Sequence, residues 1–248
     1  MGVAALGDRQ RAHIAWDEER TPWKPNAMRS LIVPLLLIAA PAAAQEHDAQ
    51  LWVMTSAQLP IEDALRVEID TTVRFSDADG GFYESLQALY ITHTLPGDVA
   101  LSWGYQRNES ETDGPKTVED RLRQRIALPI AKIGRNELRF QLQTEQRFRN
   151  DGGDIQYRAR PRLSLRVPLG DTDAPQLALS HESFLATRAD WSRQRGWARM
   201  RNQAGVRVPV AKSLRLELAY LNQYDPPVDG RRAAIDHIAF VQLLWTPD

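Results

Sequence analysis

The feature that most constrains this chain is a strict two-residue alternation of apolar and charged side chains, repeated from residue 64 almost to the end. Leu65, Val67, Ile69, Thr71, Val73 and Phe75 alternate with Arg66, Glu68, Asp70, Thr72 and Arg74. Leu122, Ile126 and Leu128 stand opposite Arg121, Arg123 and Arg125. Leu138, Phe140, Leu142 and Phe148 alternate with Arg139, Glu145 and Arg147, and Tyr157, Leu163 and Leu165 with Arg158, Arg160 and Arg162. Leu214, Leu216, Leu218 and Tyr220 alternate with Arg215 and Glu217. Successive strand residues face opposite sides, so each segment has one apolar and one charged face. No stretch of similar length carries a helical stripe, and the expected fold is all-β.

The connections alternate in length as well. Short turns are predicted at 96–98, 131–136, 169–175 and 209–213, and longer polar loops at 76–82, 107–117, 149–154, 186–196 and 224–233. They delimit ten strands, about 64–75, 82–95, 98–107, 117–130, 136–149, 155–168, 176–186, 196–208, 213–223 and 234–246. These exceed the usual five or six residues and suit tilted strands that cross a bilayer. Short turns on one side and long loops on the other are the habit of transmembrane barrels. The expectation is an antiparallel up-and-down transmembrane β-barrel of 10–12 strands. A further strand candidate, 48–59, would make the count odd, which single-chain bacterial barrels avoid. The pattern leaves open whether it pairs, splits a twelve-strand count or sits inside.

Residues 28–44 read as a signal peptide: Arg29, an apolar run from Leu31, then small residues with Ala42 and Ala44 at −3 and −1. Cleavage is expected before Gln45. Residues 1–27 lack periodicity and read as a non-native, disordered upstream extension. The predicted division is then 1–27 extension, 28–44 signal peptide, 45–63 an N-terminal segment with one short strand, and 64–248 the barrel.

Composition narrows the alternatives. The chain has no cysteine, so an exported protein of this sequence must be held by something other than disulfides. A formal net charge of −1 speaks against a nucleic-acid partner held by bulk electrostatics. Of 31 basic residues only Lys24, Lys116, Lys132 and Lys212 are lysine. Arginine stays charged and pairs bidentately in crowded places, which suits a lumen filled by charge ladders. The expected ladder is Arg66, Glu68, Arg121, Arg123, Arg125, Arg139, Glu145, Arg147, Arg158, Arg160, Arg162, Glu182, Arg215 and Glu217. A soluble periplasmic β-sandwich that binds a ligand would alternate too. The arginine rows and the aromatics toward strand ends (Phe75, Tyr105, Trp197, Tyr220, Trp245) favour the barrel.

Three elements carry a resemblance: Gln50-Leu51-Trp52, Arg158-x-Arg160-x-Arg162 and Glu217-Leu218-Ala219-Tyr220. With them, over roughly residues 48–246, the chain resembles domain of unknown function 2490 (DUF2490), a family of exported bacterial proteins. The resemblance implies an outer-membrane β-barrel and supplies no activity or catalytic residues.

Sites for chemistry are few. His181 and Ser183 lie two apart on one strand, on the face of Leu177 and Leu179, so both are expected to point outward near the outer-leaflet end. A histidine base beside a serine is the minimal acyl-transfer pair, and outer-membrane phospholipases and lipid A deacylases look similar in placing such a pair on the lipid-facing wall. The sequence identifies neither a third, orienting residue nor oxyanion donors. His47, His93, His181 and His237 lack zinc-ligand spacing, and Gly80-Gly81 and Gly152-Gly153 sit in polar loops, not in a phosphate-binding motif. No metal and no cofactor is expected. The sequence reads as a non-enzymatic outer-membrane barrel of a Gram-negative bacterium, structural or a narrow passive conduit for small, anionic solutes. The expected partners are outer-membrane lipid and the outer-membrane assembly machinery. The alternatives are a lipid hydrolase or deacylase using His181 and Ser183, and the soluble periplasmic sandwich.

Overall fold

A computed structural model describes residues 45–111, 115–171, 174–192 and 194–247. The expected extension and signal peptide lie outside the described residues. The described chain forms eleven strands and no helix: β1 (Gln45–Glu62), β2 (Leu65–Ser76), β3 (Gly81–Leu95), β4 (Val99–Ser110), β5 (Thr117–Ile133), β6 (Asn136–Arg149), β7 (Gln156–Pro168), β8 (Gln176–Ala186), β9 (Gly196–Ala211), β10 (Leu214–Asp225) and β11 (Ala233–Trp245). Each strand pairs antiparallel with its sequence neighbour, and the sheet closes on itself.

Closure is where the fold departs from expectation. The candidate strand at 48–59 is eighteen residues long and a full stave of the wall, not one short strand ahead of a barrel beginning at 64. With it the count is eleven, and an odd closed meander must join its first and last strands in parallel. β1 and β11 do so in unbroken register from Gln45–Ala233 to Ala57–Trp245. The barrel is therefore antiparallel everywhere except at this seam. The seam also carries the small apolar cluster of the interior, Trp52, Leu221 and Ile238, with Phe240 against it.

One end bears the connections 63–64, 96–98, 134–135 and 212–213 together with the longer 169–175, and the other the loops 77–80, 111–116, 150–155, 187–195 and 226–232. In the tight turn after β3, Gly97 (φ 80°) and Asp98 (φ 58°) are both left-handed, a pair of conformations that glycine and aspartate tolerate. Register shifts near the turn end fall at prolines: Pro60 in β1, Pro129 in β5 and Pro209 in β9. A residue without an N–H cannot hold its rung, and the resulting bulges bend the wall.

The alternation decides which face is which. Ile69, Leu89, Ile91, Trp103, Leu122, Leu163, Leu218 and Trp245 are exposed on the outside, while Glu68, Arg121, Arg123, Glu145, Arg147, Arg158, Glu182 and Glu217 are buried. A sandwich would bury the first set between two sheets. This single closed sheet does the reverse, and the sandwich alternative is set aside.

Candidate functional site: the lumen

Inward residues of neighbouring strands stack into rows of guanidinium and carboxylate groups. Glu145 on β6 is the hub. Its fully buried carboxylate receives Arg158 at 2.5 Å, Arg160 at 2.7 Å and Arg123 at 3.1 Å. Gln143 Nε2 donates a further hydrogen bond at 2.7 Å. Arg160 also forks onto Glu182, with Nε at 3.1 Å from Oε1 and Nη2 at 3.0 Å from Oε2. Toward the loop end, Glu119 takes Nε of Arg121 and Nε of Arg147, each at 2.5 Å. Toward the turn end stand Arg125–Glu68 at 3.3 Å, Arg207–Glu217 at 2.5 Å and Arg139–Glu137 at 2.8 Å. Bringing such charges out of water is costly, and the arrangement answers with bidentate geometry and several partners per carboxylate.

The structure brings together most of the ladder read from the sequence. Among the described residues Arg66 reaches Thr94 Oγ1 (3.3 Å) and Arg162 reaches Ser180 Oγ (3.1 Å), neither within ion-pair distance of a carboxylate. Arg215 is half-buried and makes no ion pair among the described residues. Sequence reasoning missed Arg74–Glu84 and Arg199–Asp225, each at 2.5 Å. Both sit beside register shifts, Arg74/Phe75 and Phe184/Leu185, which break the simple period.

It also missed an aromatic shelf. Trp52, Tyr90 and Phe184 point inward and are buried. The Arg74 guanidinium lies 3.7 Å from the Trp52 ring centroid, and Arg201 lies 4.8 Å from both Trp52 and Phe184. Arg160 stands 4.5 Å from Phe184 and Arg125 4.3 Å from Tyr90. Tyr90 Oη accepts from Arg123 at 2.6 Å. Its ring lies where a side chain at Gly104 would otherwise stand. A flat cation on an aromatic face keeps part of its solvation replaced when buried. Phase alone could have placed Phe184 inside, two residues after Glu182.

Beside the shelf is a cavity of about 870 Å³, reaching toward the loop end. Twelve arginines and six carboxylates line it. Arg162, Arg201 and Arg231 are its cations without a carboxylate at ion-pair distance among the described residues; Arg201 instead donates to Gln223 Oε1 at 2.8 Å. At the loop end Trp191 caps the wall, near Arg147 and Arg149, over a second cavity of about 270 Å³.

The model of the protein family of unknown function DUF2490 matches residues 49–233, from the seam strand to the start of the last one. The chain belongs to the DUF2490 family. A similar protein, uncharacterized, occurs in Methylorubrum extorquens and is 26% identical over 227 residues, spanning 87% of this chain and 96% of that protein. No solved structure matches. The elements that carried the family resemblance have physical roles in this DUF2490 barrel. Gln50 Oε1 accepts from both Trp52 Nε1 (2.8 Å) and Tyr83 Oη (2.9 Å), which fixes the shelf. Glu217 points inward to Arg207, whereas Tyr220 points outward to His237 (2.7 Å).

The outer wall of this DUF2490 member holds the remaining candidates. His181 and Ser183 face outward as expected, with His181 Nε2 3.2 Å from Ser183 Oγ. His181 Nδ1 lies 2.8 Å from Oδ1 of Asn202, the residue directly opposite on β9. His47 stacks on His237 across the seam, with Nδ1 and Nε2 3.2 Å apart. Among the described residues no cluster of three or more His, Cys, Asp or Glu could hold a metal ion.

Proposed function

We propose that this protein is a Gram-negative outer-membrane barrel whose cationic lumen draws small anionic solutes in from the loop end. The observation that carries the reading is the inverted distribution of side chains, apolar outside and charged inside. On β2 the outward row from Leu65 to Phe75 spans ten residues. At about 3.3 Å per residue and a tilt near 40°, that is about 25 Å, the height of the apolar band of such barrels. Outer-membrane lipid and the assembly machinery are its partners on this reading.

The twofold excess of arginine over carboxylate around the cavity supports the anionic preference. The pairs nearer the turn end narrow the passage, so the conduit is small and slow, or the lumen serves as a binding chamber. The test is fractionation of cells, electrophoresis with and without boiling, and bilayer conductance of the refolded barrel. Outer-membrane recovery with a heat-dependent mobility shift supports the barrel in its membrane; recovery in the soluble periplasm overturns it. Arg162→Gln with Arg201→Gln should lower anion selectivity at unchanged fold, because neither residue holds a carboxylate. Arg123 and Arg160 are poorer reporters, since their loss would strand Glu145. Absence of any conductance or anion binding would leave a structural role.

A further inference from the structure

We propose that Ser183, His181 and Asn202 form an acyl-transfer site on the outer wall, whose substrates are ester-linked acyl chains of membrane lipid. The proposal goes beyond the lumen, and its lipid substrate rests on the reading that this wall faces a membrane.

The three side chains meet across one rung. Asn202 Oδ1 can only accept, so at 2.8 Å it places the proton on His181 Nδ1. Nε2 is left with its lone pair directed at Ser183 Oγ, 3.2 Å away. A nucleophile within reach of a base, and a base oriented by a third group, is the arrangement acyl transfer needs, recognisable by geometry on unrelated folds. Neither distance depends on a loop: His181 and Ser183 lie within β8, Asn202 within β9.

The neighbouring ladder lapses beside the triad, at a proline. β7 and β8 pair from Arg158–Ala186 to Ala159–Leu185 and resume at Arg162–Glu182, with no rung between. The residue that stands opposite Ser183 in this register is Pro161, which has no N–H. The Thr187 N–H bonds Tyr157 O at 2.9 Å, so residues alternating back from Thr187 along β8, Ser183 among them, aim their backbone groups at β7. The missing proline N–H leaves the Ser183 carbonyl without its rung partner, while the Ser183 N–H keeps the Pro161 carbonyl as its acceptor, so what this wall assembles is the nucleophile, the base and its orienting group.

The surroundings select the substrate. Leu163 stands opposite His181, Leu185 follows on the same face, and Tyr157 and Trp197 flank them; all four are 42–52% exposed on the outside. This is a surface for an acyl chain, with the polar triad three residues from the loop end of β8. The reaction then runs in two halves. Ser183 Oγ attacks the ester carbonyl as its proton passes to His181 Nε2. The C–O bond to the alcohol breaks, and the alcohol leaves with that proton. Water attacks the acyl-serine, giving a proton to Nε2, and Ser183 regains it as the fatty acid departs. The net change is ester plus water to acid plus alcohol, with no oxidant or cofactor.

The experiment uses the refolded full chain, its fold verified by the heat-dependent mobility shift. The probes are a long-chain alkylsulfonyl fluoride, a medium-chain p-nitrophenyl ester in detergent, and diacylglycerophospholipid vesicles. The expected result is labelling of Ser183 and hydrolysis of both esters, with Ser183→Ala abolishing labelling and His181→Ala reducing hydrolysis about 1000-fold or more. Asn202 is a positioning residue. Asn202→Ala should reduce kcat and shift its pH profile while leaving KM nearly unchanged, and Asn202→Asp should restore the rate. A folded barrel with neither labelling nor Ser183-dependent hydrolysis overturns the site while the membrane reading stands. Cleavage of the p-nitrophenyl ester without the phospholipid overturns the lipid substrate alone.

Discussion

At the scale of the residue, Glu145 shows how an arginine-rich interior is held together. A single carboxylate accepts three guanidinium groups, and one of them, Arg160, is shared with Glu182. Arginine suits this role because its planar fork reaches two acceptors and stacks on Phe184. Removing one partner of a buried charge group is far more damaging than the net worth of the pair, since the rest stay desolvated. Glu145→Gln is therefore expected to lower stability by about 3–5 kcal/mol, measured by urea unfolding of the barrel in micelles. Glu137→Gln, half-buried at the turn-end mouth beside Arg139, is the matched control and should cost less than about 1 kcal/mol. Equal effects would mean that the interior is wet enough to screen the hub.

At the scale of the element, most of the barrel was legible in the sequence, because inward and outward faces depend only on alternation within one strand. Arg121, Arg123 and Arg125 needed no partner to be placed inside. What alternation cannot supply is who pairs with whom. β1 carries the same pattern as its neighbours, but its parallel pairing with β11 joins residues nearly two hundred positions apart, and nothing local announces it. Asn202 was missed for the same reason: its relation to His181 is one of cross-strand register, set by the length of the β8–β9 loop. The short turns were visible as punctuation, yet the bulges at Pro60, Pro129 and Pro209 were not. The seam can be tested cleanly, since the chain has no native cysteine. Thr55→Cys with Leu243→Cys places two outward thiols on partnered residues of β1 and β11, where a disulfide should close on mild oxidation and shift electrophoretic mobility. Thr55→Cys with Ala239→Cys, four residues out of register, should not close. The opposite outcome would require β1 to pair with another strand or to leave the wall.

At the scale of the whole molecule, an odd strand count has a consequence for sidedness. In an even antiparallel barrel the first strand starts and the last strand ends at the same rim. Here β1 starts at the loop rim, near Asp77 and Ala78, where Ala49 O accepts from the Asp77 N–H at 3.0 Å and Asp48 from the Ala78 N–H at 3.0 Å. β11 ends at the turn rim, where the Thr246 N–H bonds Ser213 O at 2.8 Å. If the long loops face the outside, the chain must already be across the membrane when β1 begins, and β1 must descend alongside a β11 that descends with it. Single cysteines report this directly through a membrane-impermeant maleimide on intact cells. Glu46→Cys, at the start of β1, and Arg232→Cys, in the loop before β11, are expected to label from outside; Arg135→Cys, in a short turn, should label only after the outer membrane is permeabilised. Labelling of Arg232→Cys but not of Glu46→Cys on intact cells would show that β1 does not run parallel to β11 in the cell. Labelling of Arg135→Cys alone would invert the barrel, and the Ser183 site would then face the inner leaflet, changing which lipids could reach it.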